Sequence, residues 1–298
     1  MTPRGGEAGG DRRAPGVGGQ LAGRTGMRSR ARKPAEGAER RNPLDKAFRI
    51  LAWAADRDQP TWGVREVARE LGMAPSTAYR VLSALETAEI VFFDPATAQY
   101  TLTMEFFRLA SRVAAQVPIR RAALPRLGEL VELTGETAYL GVYDETRMKL
   151  MYIDLVESPH PVQYTMARYE WLDLYAGAGG LGILPFLPEP EIEQVLGTTE
   201  LKRLTPATIT KPDALRREFE KIRQQGYVVS VGQRIVGAVG VAAPIFGPSD
   251  RVIGDLVLAL PASRFSPRKA ATLGRHVATA ASIVSAHLGA RESIQVTP

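Results

Sequence analysis

The 298-residue sequence predicts two domains, a small helical one closed by a β-hairpin and a larger one of mixed α+β class. Three observations predict this. In the stretch 62–93 two short amphipathic runs flank Gly72, and β-rich segments follow at 90–93 and 99–102. After Gly135 strand-like stretches take over, with helix-like ones around them and at both ends. Before residue 43, by contrast, ten glycines and many arginines come with almost no large apolar side chain.

Residues 1–42 cannot bury enough apolar surface to offset chain entropy, so they read as a disordered basic tail. The first domain takes 43–103. Pro43 opens a helix with Leu44, Ala47, Phe48, Ile50 and Leu51 along it, and 56–60 end it. In the next helix Val64, Val67, Ala68 and Leu71 recur at helical spacing. Gly72 suits a tight turn because it takes a left-handed backbone without penalty. Pro75 suits the first turn of a third helix, where its missing N–H costs nothing. That helix turns Ala78, Val81, Leu82 and Leu85 inward and leaves Ser76, Thr77, Tyr79, Arg80 and Ser83 outward. Asp94-Pro95 marks the hairpin turn.

Two helices followed by a hairpin make a winged helix-turn-helix, whose second helix enters the major groove of double-stranded DNA. Arg80 is then placed for a guanine edge or a phosphate, and Ser76, Thr77 and Tyr79 for phosphates near the helix start. Arg65 and Ser83 complete the candidate DNA-binding set. Short amphipathic helix pairs around a glycine occur in many helical domains, and the hairpin beside this one is what favours DNA. The net charge of +6 says little, because residues 1–42 carry all of it as a net +6 while 43–105 are net −3 and the remainder net +3. Affinity must come from where Arg65, Arg69 and Arg80 stand, not from bulk charge. For the tail, an inert extension is favoured over a DNA-contacting arm.

A helix over 103–117 carries Phe106, Phe107, Leu109, Ala110 and Val113, more apolar surface than a solvated linker exposes. It either packs on its own domain or pairs between subunits, and 104–121 is assigned as a linker and dimerisation helix. Pro118 breaks that helix or begins the next. The second domain takes 122–290, starting with an amphipathic helix over 122–133. Strands are expected at 136–142, 149–156 and 162–166. The run 175–187 begins glycine-rich and feeds a helix start, where free N–H groups suit an anion or a carbonyl. It lacks the spacing of a phosphate loop or a dinucleotide fingerprint. Helices at 190–196 and 212–225 follow, the latter stopped by Gly226, then strands at 227–231, 239–245 and 252–260 and a closing helix over 266–288. The sheet is expected to be mostly antiparallel.

Taken in order and spacing, LGMAPSTAYRVLSALE (71–86), VESPHP (156–161), LTPATIT (204–210), EKIRQQGYVVS (220–230), and GAVGVAAPIFG followed by VIGDLVLALPASRF resemble the IclR family of bacterial transcription regulators. The resemblance runs from 43 to 288. It implies a winged DNA-binding domain, a dimerising linker helix, and a C-terminal GAF-like effector-binding domain. It also implies homodimers that pair into tetramers, a palindromic operator, and repression or activation tuned by a small metabolite, with repression favoured here. Members that sense small oxo-acids place an Asp, a Cys and two Ser around the ligand. The equivalent positions here are Ser230, Gly240, Val257 and Ala259, beside the loop Gly177, Ala178 and Gly179. A hydrophilic carboxylate gives up strong hydration and needs paired donors in return. With most of those side chains lost, the expected effector is a larger or less polar acid, such as an aromatic one, with Tyr139, Tyr164 and Tyr175 (and Trp171) offering rings.

Other classes are disfavoured. The chain has no cysteine, and His160, His276 and His287 are scattered, so neither a metal centre nor another cofactor is expected. Asp154, Glu157, His160 and Asp255 form no nucleophile–base pair, so no enzyme is expected. No run approaches the roughly 18 apolar residues of a membrane helix, and no apolar signal core follows the basic start. With a mean hydropathy of −0.11 the expected location is the cytoplasm. The alternative reading is a non-catalytic interaction protein whose helix-turn-helix has lost specific DNA binding.

Overall fold

The computed structural model describes residues 42–291 as two compact units that divide between Thr103 and Met104. The tail expected over 1–42 lies outside the described residues except for Asn42. Asn42 caps the first helix, accepting from the Leu44 N–H at 3.0 Å, as a short polar side chain does for an orphan donor.

In the first unit α1 (Pro43–Ala55), α2 (Val64–Glu70) and α3 (Pro75–Thr87) close over Ile50, Val67, Ala78, Leu82 and Trp62. The turn between α2 and α3 has Gly72 at φ 63°, and Arg49 of α1 donates to the Leu71 carbonyl across it at 2.9 Å. The sequence reading missed the two-residue strand β1 (Thr61–Trp62). It pairs antiparallel with β3 (Gln99–Leu102), which also pairs with β2 (Val91–Asp94), so the wing is three-stranded. Two residues are too few to show an alternation. At the wing tip Asp94 accepts from the Ala96 N–H and the Thr97 hydroxyl, and these bonds hold its carboxyl below the usual range.

The second unit is built on a fully antiparallel sheet in the order β5-β4-β8-β7-β6. Its strands are β4 (Thr137–Asp144), β5 (Lys149–Val156), β6 (Val228–Val231), β7 (Ala238–Phe246) and β8 (Val252–Pro261). Side chains alternate across β8. Leu256, Leu258 and Leu260 face α5 (Pro118–Thr134) and α9 (Pro267–His287), while Val257 and Ala259 face α6 (Ala178–Ile183), α7 (Glu189–Thr198) and α8 (Pro212–Gln225). Because both faces are covered, the strand reads as one apolar run. A bulge at Leu140/Gly141 shifts the β4–β5 register. It sends Tyr152 to the α6 side and Asp154 to the opposite side, where Arg120 of α5 donates to it at 2.8 Å.

Two expectations need correction. The linker over 104–121 is not one helix: α4 (Met104–Ala115) ends, and Pro118 begins α5 as a first-turn proline. The stretch 162–166 forms no strand. Its polar groups go to a side chain instead, the Tyr139 hydroxyl donating to the Tyr164 carbonyl (3.1 Å) and accepting from the Met166 N–H (2.9 Å). Among the described residues no helix is long and apolar enough to cross a membrane, and no cluster of metal-ligating side chains occurs.

Candidate nucleic-acid interface and ligand cavity

Successive residues of α3 turn by about 100°, which sorts its side chains. Ala78, Val81, Leu82 and Leu85 are buried, while Ser76, Tyr79 and Arg80 share the exposed side. Thr77 is half-buried on the flank, in the groove that α3 forms with Leu44 and Ala47 of α1. Ser83 points to the wing and hydrogen-bonds the buried Tyr100, whose phenol burial pushes up. It is therefore committed inside the unit, which a helical wheel without the hairpin does not reveal.

The cations of this unit divide into two groups. Arg57 pairs with Glu66 at 2.7 Å and lies 4.4 Å from the centre of the Trp53 ring, Arg69 pairs with its neighbour Glu70, and Arg49 is spent on Leu71. Arg65 and Arg80 are exposed and make no ion pair or hydrogen bond among the described residues. In a domain with more acids than bases, these are the guanidinium groups left for an external anion.

In the second unit a cavity of about 50 Å³ opens between the sheet and the entry to α6. Register makes one wall: Ser230 pairs with Gly240, Gly240 with Ala259, and Val257 lies one row along. The backbone of Gly177, Ala178 and Gly179 makes the second wall, with Tyr152, Tyr164 and Met166 beside it. The β6–β7 loop makes the third, through Gln233, Arg234 and Ile235. The expected residues Tyr164, Gly177, Ala178, Gly179, Ser230, Gly240, Val257 and Ala259 thus come together.

Tyr139 and Tyr175 do not line the cavity. Both are core residues whose hydroxyls are taken by the chain, Tyr139 by 164–166 and Tyr175 by the Lys202 carbonyl at 3.0 Å. Trp171 is exposed, with Arg147 against its ring. The room expected at Gly240 is largely filled, since a Cβ there would meet the Cβ of Ala178 at 2.6 Å. Sequence reasoning missed Tyr152, Met166, Gln233, Arg234 and Ile235. The signal available was the pair of glycines, Gly232 and Gly237, both left-handed, that bracket the β6–β7 loop.

Arg234 is the one charged residue on the wall. Its Nε and Nη2 donate to the Ala176 carbonyl at 3.0 and 2.8 Å, and Nη2 also donates to the Asp173 carbonyl at 2.6 Å. Gly177, at φ 81°, lets it lie there, because a Cβ would come within 3.1 Å of Arg234 Nε. The Tyr152 phenol is pushed up by burial, and the nearby Asp255 adds to this while Arg234 opposes it. Asp255 lies below the cavity, fully buried, with neither carboxyl oxygen hydrogen-bonded, and burial raises it well above its ordinary range.

The sequence matches the IclR helix-turn-helix domain over residues 43–95 and the bacterial transcriptional regulator IclR C-terminal domain over residues 111–286. The chain belongs to the IclR family of bacterial transcription regulators. Among relatives of this IclR chain, the HTH-type transcriptional regulator KdgR of Escherichia coli (strain K12) is 31% identical over 248 residues, covering 82% of this chain and 91% of that protein. The crystal structure of Thermotoga maritima IclR matches with a TM-score of 0.68 at 31% identity, over 83% of this chain and 98% of that one. An IclR homologue from Microbacterium hydrocarbonoxydans, crystallised with 4-hydroxybenzoate, shares the fold with a TM-score of 0.72 at 23% identity, over 83% and 99% of the two chains. This IclR protein is a ligand-responsive, DNA-binding transcription regulator and not an enzyme.

Proposed function

We propose that the protein represses transcription from a palindromic operator in the cytoplasm, reading DNA through the exposed side of α3 and releasing it when an acidic effector fills the cavity. The observation that carries this reading is the pair of unpartnered cations, Arg65 and Arg80, in a domain whose other arginines are already engaged. Arg80 is the base or phosphate contact, with Ser76 and Tyr79 beside it. Arg65 holds the backbone, and Thr77 and Ser83 act from the flank and through the wing. The protein works as a homodimer through α4, which buries none of its residues within the described chain and leaves Leu109, Ala110 and Val113 exposed at helical spacing. Two heads in a symmetric dimer match two half-sites, and the effector shifts the population between matched and mismatched spacings.

The effector is an acid because Arg234 is the cavity's only charged wall residue. An aromatic ring needs roughly 150 Å³, so a ring must displace the loop between Gly232 and Gly237, while a small acid fits the cavity as it is. The experiment is selection of the preferred duplex by the purified protein, followed by salt-dependent binding to it. Arg80→Ala is expected to weaken specific binding by roughly 1–3 kcal/mol, or about 5- to 150-fold. Unchanged affinity and specificity in that variant sink the reading head as described.

A further inference from the structure

We propose that the cavity takes a small hydroxy acid, its carboxylate on Nη1 of Arg234 and its hydroxyl donated to Oε1 of Gln233. The inference rests on reading this cavity as the effector site and goes further by naming the ligand chemistry. Three observations carry it.

The first is charge. Arg234 has two nitrogens committed to the main chain at Asp173 and Ala176, which fixes the guanidinium plane. Nη1 makes no hydrogen bond among the described residues, and no acid lines the cavity to neutralise it. A fixed fork with a spare donor is suited to a carboxylate.

The second is the set of unsatisfied polar atoms. The hydroxyls of Ser230 and Tyr152, each on a side chain 3% exposed, line the cavity without a partner. Oε1 of Gln233 is buried and unpartnered as well. Hydroxyls adapt, since they both donate and accept, but an amide oxygen only accepts. A plain carboxylate or an oxo-acid brings acceptors alone and leaves that oxygen unmet, which is costly in a buried site. An ammonium group brings donors but is repelled by Arg234. A neutral hydroxyl supplies the donor without that repulsion.

The third is size. About 50 Å³ is space for a few water molecules at roughly 10–15 Å³ each. A three-carbon hydroxy acid is of that order, and Met166, Ile235, Val257 and Ala259 cover its hydrocarbon part.

Lactate is the probe, titrated calorimetrically into the full-length protein beside propionate, pyruvate, lactamide and benzoate. Lactate is expected to bind about tenfold or more tighter than propionate and pyruvate, and lactamide not to bind measurably. Arg234→Met should abolish lactate binding. Because it also releases the loop at 173–176, Gln233→Leu is the second variant. It leaves the Arg234 contacts in place and should bring lactate down to the affinity of propionate without changing propionate itself. Lactamide binding as well as lactate, or a Gln233→Leu protein that keeps the tenfold preference, overturns the proposal. So does benzoate as the tightest of the five, or no acid binding to a protein that still recognises its operator. Preference for lactate in a protein without specific DNA binding supports the proposal and sinks the regulator reading instead.

Discussion

In the reading head the groups without partners, Arg65 and Arg80, stand in water, and every buried position of α3 is apolar. In the effector domain the unpartnered groups are inside: both oxygens of Asp255, the Gln233 amide oxygen, and the Ser230 and Tyr152 hydroxyls. The difference follows from what each region meets. DNA presents charge at its surface, so solvated cations serve and cost little while they wait. A small ligand must be enclosed to be discriminated, so its partners are buried in advance and left unmet at a cost in stability. Function is therefore nearly free in one region and destabilising in the other.

The largest effect expected from disturbing this arrangement is at Gly180, under the cavity wall. A Cβ there would meet the Leu174 carbonyl oxygen at 2.4 Å and two further backbone atoms within 2.8 Å. Backbone cannot swing aside as a side chain can. Gly180→Ala should cost about 3 kcal/mol, at the top of the usual overpacking range and against a helix-propensity gain of about 1. The α6 entry loop and the effector-domain melting transition should be lost together. A thermal midpoint within a degree of wild type would show that the loop is far softer than its packing indicates.

Asp255 gives a smaller effect with a pH signature. Burial raises its folded pKa above the unfolded one, so between these values the folded state holds the proton and the unfolded state does not. Stability is then lost as pH rises from the ordinary carboxylate range of about 4 toward the folded value. Asp255→Asn keeps the shape that fits beside Gly141 and Gly182 but cannot ionise. The variant should gain on wild type with rising pH, by about 1–3 kcal/mol at pH 8, a shift of roughly 2–12 °C, and the gap should close near pH 4. Parallel melting curves for the two proteins across that range would mean that Asp255 finds a partner.

Legibility in the sequence follows the same division. The helices of the head were readable because each satisfies itself locally: Pro75 starts α3, Gly72 turns the chain, and period 3.6 separates core from surface. The strands β4 to β8 were readable within a residue or two at each end, since apolar content marks them. The cavity was half legible. Ser230, Gly240 and Ala259 were placed by resemblance, and register then set them in one row. Tyr139 and Tyr175 were misplaced because the partners of a tyrosine hydroxyl, the carbonyls of Tyr164 and Lys202, lie 25 and 27 residues away. Arg234 was overlooked for a similar reason. Nothing in its own segment says that it reaches 58 residues back to Ala176.

The smallest expected effect tests the head itself. If its free cations are functional and its paired ones structural, stability and DNA binding should separate cleanly. Arg57→Ala removes a 2.7 Å ion pair with Glu66 and the stacking on Trp53 at a partly buried site, and should cost about 1–1.5 kcal/mol in thermal or urea unfolding. Arg80→Ala removes a solvated side chain with no partner and should stay within about 0.5 kcal/mol of wild type. Its DNA affinity, by contrast, falls and its salt dependence flattens by about one counterion. The reverse pattern, a destabilised Arg80→Ala protein with DNA binding intact, would place Arg80 in the fabric of the domain. The surface that meets DNA would then have to be sought around Arg65 and the wing.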